Sequence, residues 1–234
     1  MQKTLFSIAI LVLALTGCTS TTTLTPVQVS ALEESKLSIE AVTQADNAVK
    51  APNPTTEPGY NSAVPAGTGG GLIPALIGAA IDSSIKADQR KNFTEKYSEY
   101  FDAVDKNTPE DLSNALNDKL ANAVTSNEFF APLIVEESRI KLNTTITSYG
   151  LNRTNKINDD VFLTFGVSAL VEMASAGEKP IIKKIFSAQA GKEYTMKDYA
   201  EQEQLINEMS LKAVENLSTL IKEHLDQLTA FDKK

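Results

Sequence analysis

Residues 140–173 alternate in character. Ile140, Leu142, Thr144 and Ile146 are separated by Lys141, Asn143 and Thr145, and Val161, Leu163, Phe165, Val167, Ala169, Val171 and Met173 recur at every second position. Only an extended backbone puts such residues on one side, so both runs predict strands with one buried face. The polar stretch 150–160 is expected to join them. Ser175-Ala176-Gly177-Glu178-Lys179 reads as a turn, and Pro180–Ala188 as a third strand whose proline suits a sheet edge. Around these runs the apolar period is helical. Phe93, Tyr97, Tyr100, Phe101 and Val104 form one stripe. Thr108-Pro109-Glu110-Asp111 reads as a capped helix start leading into Leu112, Leu116, Leu120, Ala123 and Val124. A long amphipathic helix is expected over 197–229 through Ile206, Met209, Ala213, Leu217, Leu220 and Leu228. The predicted fold is α+β, a small antiparallel three-stranded meander packed against helices, with its domain at 107–234.

The chain before that domain has a different composition. From Thr19 to Ala66 it is rich in Ser, Thr, Asn and Pro, with prolines at 26, 52, 54, 58 and 65. Such a segment buries too little apolar surface to offset the cost of ordering, so 18–66 is expected to be a disordered, flexible tether. Its root-mean-square reach would be roughly 40 Å. The one interruption is Ser30–Ala48, where Leu32, Leu37, Ile39 and Val42 allow a weak helix.

Residues 67–106 form a Gly-rich apolar segment, opened by Gly67-Thr68-Gly69-Gly70-Gly71. Pro74 suits a helix's first turn. Leu72, Ile73, Leu76, Ile77, Ile81 and Ile85 then fall on one side, a candidate interaction face, and Ala75, Gly78, Ala79 and Asp82 on the other. Three readings fit it: a helix on the domain core, a partner-binding or self-associating surface, or an interfacial membrane segment. A phosphate loop is not among them, because no predicted strand precedes the glycines and no Gly-Lys-Ser/Thr ending follows.

At the start of the chain, Lys3 precedes an apolar run from Leu5 to Leu15, and Thr16-Gly17 leads into Cys18. The run is too short to span a bilayer, and the chain turns polar at once with Thr19-Ser20-Thr21. Leu15-Thr16-Gly17-Cys18 resembles the lipobox of a bacterial lipoprotein signal peptide. The resemblance implies removal of residues 1–17, acylation of Cys18 and attachment to a membrane through its acyl chains, which together anchor stably. In that family an aspartate after the cysteine retains the protein at the inner membrane. Thr19 stands there instead, which implies sorting to the outer membrane of a Gram-negative cell, facing the periplasm. Outside residues 1–20 the layout is similar in outline to poorly characterised Gram-negative envelope lipoproteins and to accessory lipoproteins of lipid or lipopolysaccharide transport.

Charge and residue inventory narrow the function. Losing Lys3 takes the formal charge from −8 to −9. An acidic chain is repelled by phosphate and releases no counterions on it, so nucleic acid is an unfavourable partner. With Cys18 acylated no thiol remains, and the single histidine, His224, excludes a His-His-Glu metal site. Its position between Leu220 and Leu228 suits a packing role better than a general base. Glu136-Glu137 and Asp159-Asp160 are adjacent rather than facing, as solvated pairs are. The Asn-X-Ser/Thr triplets at 92, 143, 152 and 216 are glycosylation sequons on paper only, given the bacterial lipobox. The expected function is a non-enzymatic lipoprotein, without cofactor or metal, that binds another envelope component, expected to be a protein, in assembly or transport. Alternatives are a module for lipid or peptidoglycan fragments, and a hydrolase using His224. The sequence sets no oligomeric state.

Overall fold

The computed structural model describes residues 23–51, 87–157 and 160–230. Its elements are α1 (Pro26–Ser35), β1 (Ser38–Ile39), β2 (Thr43–Ala51), α2 (Ala87–Asn107), α3 (Ser113–Thr125), a 3-10 turn at Ala131–Leu133, β3 (Ile140–Ile157), β4 (Asp160–Ser175), β5 (Ile182–Gln189), β6 (Tyr194–Thr195), α4 (Met196–Glu201) and α5 (Glu203–Leu228). The architecture is a mixed six-stranded sheet with helices, including the long C-terminal α5.

The alternating runs pair as their period demands. β3, β4 and β5 are antiparallel neighbours, with Leu142 opposite Met173 and Phe186 opposite Ala169. The buried residues of β3 switch parity, from Leu142, Thr144 and Ile146 to Tyr149 and Leu151. A register shift between Ile146 and Ser148 supplies the extra residue, which keeps both halves aimed at one core. Residues 150–157, expected to be loop, are instead the far half of β3 in this hairpin, since Leu151 opposes Phe165 and both are fully buried. Gly177 (φ 78) makes the β4–β5 turn in a conformation that other residues avoid.

The three-stranded meander is therefore too small a description, and so is the tether. β1 and β2 come from the segment expected to be disordered, and they pair parallel to β3, Ser38 with Lys141 and Thr43 with Thr145. Leu24, Leu32, Leu37 and Val42 are all buried in the common core. The weak helix expected at 30–48 is displaced to α1, where Thr25 and Gln28 form a reciprocal capping box and Pro26 occupies the first turn. The described fold thus already includes Leu24, well before Gly67. The division at 106/107 also falls inside a continuous structure, because the buried side chains of α2, Tyr97, Phe101 and Val104, belong to the same core.

Two further helix expectations are corrected. Thr108 does not cap a helix; its hydroxyl donates to Val104 O at the end of α2. The next helix starts four residues later, where Asp111 accepts from the Ser113 backbone and hydroxyl, and those bonds hold its carboxyl below the usual range. The C-terminal helix is two helices. Thr195 and Asp198 form a capping box for α4, and Gln202 (ψ 84) breaks the path, so that Met196 and Tyr199 can be buried in the core. Along α5 the buried stripe runs through Ile206, Met209, Ala213, Leu217, Ile221 and Leu225, while Leu220 lies on the outside at 40% exposure.

Candidate functional site at the open sheet edge

β5 pairs with β4 on one side, and among the described residues no strand pairs with its other side. Ala190 donates to Phe165 O directly across the ladder, so the alternation of an antiparallel pair turns the backbone groups of Lys183, Ile185, Ser187 and Gln189 outward. Gln189 O confirms this direction by accepting from the Asn216 amide of α5 at 2.7 Å. The stretch from Lys183 to Ser187 is left as an edge of outward N–H and C=O groups. Residues 179–192 hold Lys179, Lys183, Lys184 and Lys192 and no acid, in a chain of net charge −8.

The side chains along this edge divide by face. Lys183, on the face away from the helices, pairs with Glu172 at 3.1 Å. Lys184, on the helix side, places its Nζ 5.0 Å above the Phe186 ring and 3.3 Å from His224 Nδ1. An ammonium only donates, so Nδ1 accepts and the imidazole proton resides on Nε2. Phe186 packs edge-on against the same imidazole at 5.3 Å. Burial first, and the Lys184 charge second, push the His224 pKa down to about 4, so the ring is neutral near pH 7. A hydrolase using His224 would need a serine and an acid beside it; the contacts seen there are with Lys184 and Phe186.

The far half of the sheet holds a second polar feature. Asn152, opposite Thr164, donates from its amide to Gly150 O at 3.4 Å. A Cβ on Gly166 would come within 2.3 Å of that amide nitrogen, so Gly166 makes room for Asn152. Asn152 Oδ1 and Thr164 Oγ1 are buried without a hydrogen-bond partner among the described residues. Between sheet and helices the space is filled by Leu142, Phe165, Met173, Leu217 and Ile221, all at most 0% exposed. The depressions on the surface are shallow, one of about 480 Å³ beside Gln202–Leu205 and Glu208, another of about 420 Å³ beside Pro26, Val27, Ser30, Ala31 and Glu34.

Cys18, Thr19 and the apolar face of Leu72, Ile73, Leu76, Ile77, Ile81 and Ile85 lie outside the described residues. Glu136 and Glu137 are exposed, as solvated residues are. Of the sequon asparagines, Asn143 is exposed, Asn152 is buried and Asn216 caps the β5 edge. The β5 edge itself was only half legible: Pro180 pointed to an edge strand, and the lysine run was available in the sequence as a second signal. No helix among the described residues is long and apolar enough to cross a membrane. No protein-family model matches this chain, and no curated protein matches it either.

Proposed function

We propose that this chain is a lipid-anchored envelope lipoprotein of the outer membrane, held through acylated Cys18, whose periplasmic domain is a non-enzymatic binding module for another envelope protein. The observation that carries the partner reading is the β5 edge, with outward backbone groups from Lys183 to Ser187 flanked by lysines. An extended segment can add to such an edge as a further strand, with main-chain hydrogen bonds supplying affinity. The lysines favour an acidic segment, since opposite charges steer encounter and set register. The engagement of His224 by Lys184 and Phe186 supports binding over hydrolysis.

The test is a photo-crosslinking residue placed at Ile185 or Ser187 of the native gene, irradiated in intact cells, with Glu223 on the exposed side of α5 as the control position. A discrete protein adduct from the edge positions alone is expected. Ile185→Pro removes an outward donor without breaking a ladder bond, and should abolish the adduct while the domain melts cooperatively. Adducts equal at the edge and at Glu223, or unaffected by Ile185→Pro, would defeat the proposal.

A further inference from the structure

The first buried residue among those described is close in sequence to the proposed anchor. Leu24 is buried, and its N–H donates to Leu228 O at the end of α5 at 3.0 Å. Leu24 is six positions after Cys18, and a chain of that length extends to at most about 22 Å. An anchor at Cys18 would therefore hold the domain by one pole, built from the start of α1 and the end of α5. The end of α3 joins the same pole, since Asn127 donates to Asp226 and Thr229 of α5 at 2.8 and 3.2 Å. The opposite pole, at the start of α5, is about 39 Å away along a 26-residue helix.

At the anchored pole α1 turns an apolar patch outward. Val27, nine positions after Cys18, is 79% exposed, against 38–47% for Val135, Leu211 and Leu220, the other large apolar side chains exposed among the described residues. Pro26, Ser30, Ala31 and Glu34 line the shallow depression with it, so the apolar contact is confined to Pro26, Val27 and Ala31, with the carboxylate of Glu34 at its rim.

We propose that this pole faces the membrane and that the outer face of α1, with Val27 foremost, rests on the phospholipid surface. The inference rests on the lipid-anchor reading of Cys18. Covalent attachment keeps the patch within a short tether's reach of the surface, so a contact too weak to bind a free protein is occupied. The β5 edge, running beside α5, then extends from the membrane into the periplasm, where a segment of another protein can reach it.

The experiment uses the full-length lipidated protein in vesicles of phosphatidylethanolamine and phosphatidylglycerol carrying a headgroup-level quencher. A second cysteine is introduced by Val27→Cys or Gln204→Cys, both at exposed positions, and given an environment-sensitive fluorophore. Quenching at position 27 is expected to exceed that at 204 at least threefold. Equal quenching, or stronger quenching at 204, with Cys18 shown by mass to be acylated, overturns the orientation and leaves the anchor intact. An unmodified Cys18 in the same preparation overturns the anchor and the orientation with it.

Discussion

On its β3 side the sheet ends in β1 and β2, which run parallel to β3 and are tied to the core by buried Leu32, Leu37 and Val42. Along β5 the described residues add no further strand, and the closing contacts are side-chain ones: Asn216 on Gln189 O, Lys183 on Glu172, Lys184 on His224. An edge covered by buried apolar residues is expensive to strip, because its removal exposes the surface that it covers. An edge finished by exposed polar contacts is cheap to alter, since such pairs contribute little net stability. The two edges of the sheet therefore differ: the N-terminal one is fixed to the core by buried apolar side chains, whereas along β5 the backbone groups from Lys183 to Ser187 meet no further strand among the described residues.

The strongest way to break this comparison is to remove residues 23–51. That deletion takes away four buried core side chains, Leu24, Leu32, Leu37 and Val42, and the parallel partner of β3, so cooperative thermal unfolding should disappear. A truncated protein with an unchanged melt would return this segment to the status of a tether. A milder version is Leu32→Ala, at a site with 0% exposure, expected to cost about 2–5 kcal/mol in denaturant unfolding through transfer and cavity terms.

Next in size is Asn117→Ala. Asn117 Oδ1 accepts from Val42 N at 3.1 Å just before β2, and removing it strands a part-buried donor at a cost of about 1–2 kcal/mol. An equal loss from Asn216→Ala at the β5 edge would contradict the difference between the two sides. The exposed Lys183→Ala is expected to fall within about 0.5 kcal/mol of the parent, because the pair it breaks with Glu172 is solvent-screened.

A comparably small effect is a pH dependence at the β5 edge. His224 is held neutral, with its pKa lowered from 6.5 to about 4, so the unfolded chain binds the proton more readily than the folded one. Its contribution is fully present above pH 6.5 and is lost as pH falls towards 4; solvent screening of the half-buried ring keeps it below about 1 kcal/mol. Lys184→Met should raise the titration midpoint by less than the full depression, since burial is the larger cause, and NMR titration of the imidazole reads this directly. A midpoint that does not move would remove Lys184 from the account of the edge.

Local sequence determined the elements whose signal is local. The two-residue period of 140–146 and 161–173 specified strands because alternation is a property of one strand's own backbone, and the stripe through Ile206, Met209, Ala213 and Leu217 specified α5 in the same way. The assignment of Leu220 to that stripe failed by the angle of a single residue: Leu217 and Ile221 are one turn apart on the buried side, and Leu220 falls outside it. At the proposed edge, Pro180 and the lysines were legible, but His224's partner was not, because Lys184 lies 40 positions away. Residues 24–51 carry no period at all. Leu24 meets the end of α5, Leu37 bonds to Leu133 and Val135, and Val42 bonds to Asn117, so each residue answers to a different neighbour. Their pairing with β3 spans about a hundred positions, and composition alone made them look like a tether. The resemblance to a lipobox rests on four residues, whereas the end of the domain that the proposed anchor would hold follows from one hydrogen bond between Leu24 and Leu228, at opposite ends of the described chain.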